Sequence, residues 1–167
     1  MGKKARGATP ALQVLNHAKV QYELLEFEHS ASMEHGFALD TVEVLHLNPR
    51  TVFKTLLAEA DGKPVVGVVP ADSHLNMKSL AKAVGAKRAE MMDPDKAERL
   101  TGYIKGGISP LGQRKRFPTV IDSGAEELDR MIVSGGKRSL SVALSPMDLL
   151  ALTDGTFASI ADLGLAH

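Results

Sequence analysis

Apolar and polar residues alternate along this chain in short blocks, and the period of the alternation changes from one block to the next. Thr9-Pro10 makes an N-cap and first-turn pair, with Leu12 and Leu15 behind it at helical spacing, which predicts a helix through about Ala18. Gln21 to Phe27 reads as a strand, and Gly36 to Leu45 as a short helix beyond a polar loop. Val52 to Ala60 and Pro64 to Pro70 flank Asp61-Gly62, the dipeptide of a tight hairpin. Asn76 caps a helix ended by Gly85, and Asp93-Pro94 starts another that stops near Gly102. Thr119 to Asp122, Met131 to Ser134 and Ser139 to Leu144 read as strands, the last two joined around Gly135-Gly136. Ser145-Pro146 opens a last helix to about Leu152, and Phe157 to Ile160 reads as a closing strand. Strands and helices interleave without a regular βαβ repeat, which predicts a mixed α+β sheet or a partly closed barrel.

One strand carries an anomaly. Period-two alternation puts Val52, Lys54 and Leu56 on one face and Phe53, Thr55 and Leu57 on the other, so both faces are apolar around a single lysine. An unpartnered buried ammonium costs several kcal/mol, so Lys54 either meets a carboxylate, a carbonyl or an anionic ligand in a cleft, or lies on an edge strand and snorkels to water. The pattern weighs the two evenly.

Composition narrows the chemistry. At 167 residues the chain fits one domain, long enough to bury roughly 70% of its unfolded surface. Residues 1–8 read as a flexible tail before a domain over 9–167. No apolar run approaches the ~20 residues of a membrane span, and the basic N-terminus has no apolar stretch behind it, so the expected location is cytoplasmic. The absence of cysteine excludes disulfides, thiolate nucleophiles and cysteine-ligated zinc. The six histidines show no HxxxH or HxH spacing, and neither a GxSxG elbow nor a P-loop ending is present. No metal or cofactor is expected.

The most informative segment is Thr101 to Pro118, TGYIKGGISPLGQRKRFP. It sets Gly106, Gly107, Ser109, Pro110 and Gly112 close together and runs into Arg114, Lys115 and Arg116. Glycines let a ligand approach the backbone and proline fixes φ, which suits the wall of a binding site. The net charge of zero conceals a separation along the chain: six acids and no Lys or Arg lie between Gln21 and Pro49, and five basic residues and no acid between Arg99 and Ile121. Such asymmetry suits a polyanion bound along one face. Ser134-Gly135-Gly136-Lys137-Arg138 is a second glycine turn followed by basic residues.

Four blocks, LNPRTVFKTLL (Leu47 to Leu57), KSLAKAVGAKRAEMMDP (Lys78 to Pro94), TGYIKGGISPLGQRKRFPTVID (Thr101 to Asp122) and VSGGKR (Val133 to Arg138), together resemble the YbaK-type aminoacyl-tRNA editing proteins. These are relatives of the editing domain inserted in bacterial prolyl-tRNA synthetases, and the likeness runs from Thr9 to Asp162. The resemblance implies one α+β domain whose mixed sheet curls toward a partly closed barrel with flanking helices. It further implies a trans-acting deacylase that clears cysteine wrongly attached to the proline tRNA, with cysteinyl-tRNA generally as a second substrate.

By the same resemblance Lys54 is the catalytic candidate, and Gly106, Gly107, Ile108, Ser109 and Pro110 form the GxxxP loop that embraces the aminoacyl group. The resemblance also implies that the substrate's own thiol attacks the ester. Phe27, His35, Ser134, Gly135 and Gly136 are further substrate-binding candidates, and Arg114, Lys115, Arg116, Lys137 and Arg138 are the candidates for the tRNA acceptor end. Prolyl-tRNA synthetase is the expected partner, with cysteinyl-tRNA synthetase as the second candidate. Three departures bear on specificity: Phe27 stands where the family has a tyrosine, an expected asparagine falls near His35, and Ser141 replaces an aspartate. The rivals are an editor of another small amino acid such as alanine, and a non-catalytic module that binds tRNA or a synthetase.

Overall fold

The structure, a computed structural model, describes residues 8–31, 33 and 36–163. Residues 1–7 of the expected tail, and His35, lie outside the described residues. Helix α1 (Pro10–Ala18) starts where the Thr9 side chain accepts the Leu12 N–H and stops at Lys19 in the left-handed region. Strand β1 (Tyr22–Glu26) and helix α2 (Phe37–Leu45) follow, then the hairpin of β2 (Phe53–Ala60) and β3 (Lys63–Pro70), which turns at Asp61-Gly62 as expected. After β4 (Ser73–Leu75) come α3 (Met77–Ala83), capped by Asn76, β5 (Ala89–Met91), and α4 (Pro94–Thr101), capped by Asp93 and closed by left-handed Gly102. The chain ends through β6 (Thr119–Asp122), a 3-10 turn (Ser123–Glu127), β7 (Met131–Lys137), β8 (Leu140–Leu144), α5 (Pro146–Thr153), β9 (Thr156–Ala158) and β10 (Ala161–Leu163).

The strands form three sheets with orders β1-β8-β7, β10-β4 and β5-β2-β3-β6-β9. The five-stranded sheet is mixed: β2 runs antiparallel to β3 and β5, while β6 runs parallel to β3 and β9. Its two faces follow the period-two pattern of the hairpin. Val66 and Val68 join Phe53 and Leu57 in a core shared with Val133, Leu140, Val142 and Leu144 of the three-stranded sheet and with Leu12, Leu15 and Leu149. Val65 and Val69 turn to the other side and pack with Leu80, Val120 and Ile160. Among the described residues no sheet closes on itself; the expected curl reduces to one bridge, Val52 to Ile132, that joins the two larger sheets.

Two sequence expectations are corrected. The β7–β8 strands do not reverse around Gly135-Gly136: β7 runs on to Lys137 with an irregular register after Ser134, and the turn is Arg138-Ser139. Of the expected closing strand Phe157 to Ile160 only Phe157 and Ala158 lie in a strand, β9; the Ile160 and Ala161 N–H groups both donate to Asp122 Oδ1 at 3.0 Å, and β10 starts beyond the expected end. Strands β4, β5 and β10, of three residues each, are too short to show a period.

Candidate active site

The unusual feature of β2 is its second edge. One edge pairs with β3 along the whole strand, but β5 covers the other only from Ala58 to Ala60. Ala71 N–H donates to Val52 O at 2.7 Å, so by antiparallel alternation the backbone groups of Lys54 and Leu56 face β3, and those of Thr55 face the uncovered edge. That opening is filled by a cleft of about 350 Å³, bordered by residues Val52 to Leu57 and by Phe37, Leu39, Met92, Ile108, Val133 and Leu140. Because the strand meets the cleft edge-on, side chains of both its faces reach it. The two sequence readings of Lys54 therefore merge: the lysine lies on an inner strand, on the stretch of that strand left open.

Lys54 is half-buried in this largely apolar wall. Desolvation lowers its pKa from the ordinary lysine value, and the negative charge of Asp72 partly offsets the shift. Asp72 is itself held by Arg50, whose Nη1 donates to Asp72 Oδ1 at 2.8 Å and to Ser73 Oγ at 3.0 Å.

The glycine loop borders the cleft with only part of its length. Gly106 and Ile108 line it. Gly106 has φ +84°, and a Cβ there would lie 2.6 Å from the Phe37 ring, so both conformation and space demand glycine. Gly107 instead packs on the Lys137 and Arg138 backbone, and its N–H closes a turn onto Ile104 O at 2.8 Å. Ser109 is fully buried: its hydroxyl accepts the Leu111 N–H, and its carbonyl takes the Gln113 side-chain amide. Pro110 faces away from the cleft, into a second hollow.

The β7–β8 candidates divide in the same way. Ser134, Lys137 and Arg138 border the cleft, so two residues expected on the acceptor stem stand at its mouth. Gly135 and Gly136 do not line it. A Cβ on Gly136 would meet Thr9 and Tyr103 at 2.9 and 3.0 Å, and the Gly135 carbonyl accepts the Thr9 hydroxyl, so these glycines serve packing against the start of α1. Burial pushes the pKa of Tyr103 up to about 12, while its hydroxyl donates to Leu111 O at 2.6 Å. Phe27 lies outside the lining and packs edge-on against His29. Arg114, Lys115 and Arg116 line the second hollow with Gly112, Phe117, Leu152 and Thr153, not the Lys54 cleft.

Of the residues bordering the cleft that sequence reasoning overlooked, four bear on its charge, shape or hydrogen bonding. Lys105 and Glu98 add charge, so that Lys54, Lys105, Lys137 and Arg138 face one carboxylate there. Phe37 supports Gly106. Thr55, a residue 9% exposed, carries the one buried side-chain oxygen without a hydrogen-bond partner among the described residues. Such a group is an exception that calls for a ligand or a reason. Lys105 and Thr55 stood inside the blocks already singled out; Phe37 and Glu98 gave no signal before the chain was folded. Ser141, one of the departures, is buried and also borders the cleft.

No helix among the described residues is long and apolar enough to cross a membrane, and they hold no group of three or more His, Asp or Glu placed to ligate a metal. Over 95% of its length the chain is 40% identical to a protein of Enterococcus faecalis assigned as the Cys-tRNA(Pro)/Cys-tRNA(Cys) deacylase EbsC, covering 96% of that protein. A proline–tRNA ligase of Geobacter metallireducens is 32% identical over 54% of the chain, which spans only 15% of the ligase. The fold is shared with the crystal structure of a protein described as a trans-editing enzyme for prolyl-tRNA synthetase (TM-score 0.76, 20% identity, 96% of each chain). It is also shared with the hypothetical protein APE2540 (TM-score 0.82, 19% identity, covering 92% of this chain and all of that one). Residues 38–152, which contain Lys54, the glycine loop and the β7–β8 turn, match the aminoacyl-tRNA editing domain, and to that family this chain belongs.

Proposed function

We propose that this protein is a trans-acting editing deacylase that clears cysteine from mischarged Cys-tRNA(Pro), and from Cys-tRNA generally, in the cytoplasm. The observation that carries the reading is the meeting of Lys54, Gly106 and Ile108 in one mostly apolar cleft with Lys105, Lys137 and Arg138 at its border. The acceptor end of the tRNA brings phosphates to those cations, and the Lys54 ammonium holds the aminoacylated 3′ end. The aminoacyl group enters among Phe53, Leu57, Val133 and Leu140, where the Thr55 hydroxyl and the open edge of β2 offer polar partners.

The chemistry asks little of the protein's side chains. In the substrate-assisted route the cysteine thiol attacks its own ester carbonyl: the S–H bond breaks, a C–S bond forms, the C–O bond to the ribose breaks, and the proton given up by the thiol is balanced by the one taken up by the departing ribose oxygen. Effective molarities make such intramolecular attack fast once the reacting groups are oriented, and backbone N–H donors of the glycine loop offset the developing oxyanion charge. A chain without cysteine is suited to this route, since the nucleophile arrives with the substrate. Prolyl-tRNA synthetase is the proposed source of the mischarged tRNA, with cysteinyl-tRNA synthetase second.

A panel of mischarged tRNAs with identification of the released product tests the proposal. Release of a cyclic thiolactone from Cys-tRNA(Pro), well above the blank rate, is the expected result. Preferential clearance of alanine would move the specificity to another small residue, which a pocket bordered by neutral Thr55 and Ser141 admits. Deacylation no faster than the blank, with salt-sensitive tRNA binding retained, would replace the enzyme by a binding module.

A further inference from the structure

A continuous run of hydrogen bonds crosses the border of the cleft. Asp40, in the first turn of α2 and 3% exposed, accepts the Ser30 N–H at 2.9 Å and the Ser30 hydroxyl, and its Oδ2 lies 2.8 Å from His29 Nδ1. The other nitrogen of that ring, Nε2, meets the backbone carbonyl of Arg138. Arg138 Nε then donates to the carbonyl of Lys105 at 2.8 Å, and the Lys105 N–H donates to Glu98 Oε2 on α4 at 2.7 Å. Five elements are tied in sequence: α2, the polar loop after β1, the β7–β8 turn, the glycine loop and α4. The guanidinium of Arg138 also lies 4.8 Å from the centre of the Phe37 ring, the ring that supports Gly106.

The protonation of His29 follows from its partners. Burial alone would raise the Asp40 pKa, but the hydrogen bonds from Ser30 and His29 outweigh it and hold the carboxyl below its ordinary value, so Asp40 is ionised. A carboxylate and a carbonyl can only accept. With one on each ring nitrogen, only the doubly protonated imidazolium satisfies both contacts. Asp40 from α2 and Arg138 from the β7–β8 turn are the charged residues that contact this ring among the described residues. Phe27 and Phe37 close its sides edge-on at 4.8 and 5.3 Å.

We infer that His29 is a positioning residue for the editing cleft: as an imidazolium it locks Arg138, and through Arg138 the Lys105–Gly106 segment, at the border where the acceptor end enters. What enters there rests on the editing reading; the lock itself does not. Protonated, the ring bridges α2 to the β7–β8 turn. Neutral, it must release one of the two, and the glycine loop loses its brace.

Amide exchange by NMR on the full chain tests the lock without reference to activity. His29→Phe keeps the ring contacts with Phe27 and Phe37 but removes both N–H donors. It is expected to lower the protection factors of the Lys105 and Gly107 amides roughly tenfold, leaving β6 unchanged. Unchanged protection at both amides in the folded variant overturns the inference. If that variant fails to fold, the wild type decides: NMR of the His29 ring should find a proton on each nitrogen, one facing Asp40 and one facing the Arg138 carbonyl. A ring with one bare nitrogen overturns the inference. In the editing assay His29→Phe should lower kcat roughly tenfold, with a smaller change in KM. If wild type and variant are both inactive on every mischarged tRNA, the editing reading falls, and the exchange data still decide the lock.

Discussion

The two halves of the glycine loop do different work. Gly106 and Ile108 border the Lys54 cleft, whereas Pro110, Gly112 and the basic run Arg114 to Arg116 border a second hollow beside α5. Each half holds a glycine in the left-handed region, Gly106 at φ +84° and Gly112 at φ +69°. Their neighbours differ: the missing Cβ of Gly106 makes room for the Phe37 ring, and that of Gly112 for the Pro10 backbone at 2.6 Å. One glycine shapes the cleft and the other seats the loop on α1. A dense motif in sequence therefore need not be one site in space.

The sharpest test of this division is Lys54→Ala, which should lower deacylation at least about 100-fold, as removal of a preorganised electrostatic group does, and leave thermal unfolding nearly unchanged. Wild-type activity in that variant would detach the cleft from the chemistry. Gly106→Ala and Gly112→Ala should each lose about 1–3 kcal/mol from backbone strain, a fall of several degrees in Tm, with the close contacts adding to it. Only Gly106→Ala should also lower kcat among molecules that remain folded; equal kinetic losses in both would erase the distinction between the halves.

Replacing Arg114, Lys115 and Arg116 together by Gln should weaken tRNA binding and reduce its salt dependence by about two to three units of slope, with single-turnover chemistry unchanged. A changed single-turnover rate would place the second hollow in the active site. The pH dependence of the chemical step should report Lys54. Since desolvation lowers its pKa, the ammonium is lost, and activity falls, as pH rises through a midpoint below the ordinary lysine value of 10.5. Asp72→Asn removes the charge that opposes the shift and should move that midpoint lower still. The smallest effect is expected from Thr55→Val. Deleting a buried hydroxyl that lacks a partner should be neutral or stabilising by up to about 1 kcal/mol, while weakening substrate use. Clear destabilisation would mean that the hydroxyl already has a partner in the folded chain.

Much of the fold was legible because its cues are local. The caps at Thr9, Asn76, Asp93 and Ser145 each accept a backbone N–H of the first helical turn, and Asp61-Gly62 turns the hairpin where its φ preferences require. The errors came where a distant group overrode a local one. Gly135-Gly136 has the composition of a turn, yet Gly136 clears space for Thr9 and Tyr103 and the Gly135 carbonyl accepts the Thr9 hydroxyl, groups far away in sequence. The last strand stopped at Ala158, and the Ile160 amide goes to Asp122, 38 residues back in the chain.

The site was legible by residue type and not by neighbourhood. Period-two alternation alone marked Lys54 as an ammonium in an apolar strand, and the glycine spacing alone marked residues 106–112 as a close-approaching loop. The sequence by itself thus determined the helix and strand starts, the anomaly at Lys54 and the family's four blocks, since each depends on side chains a few residues apart. Only the tertiary structure decided that β5 stops short and leaves the edge of β2 open, that Arg138 joins the cleft while Arg114 to Arg116 leave it, and that His29 meets Asp40 and Arg138 at once. Those facts depend on which segments pack together across dozens of residues, and no local pattern encodes the closure of such long loops.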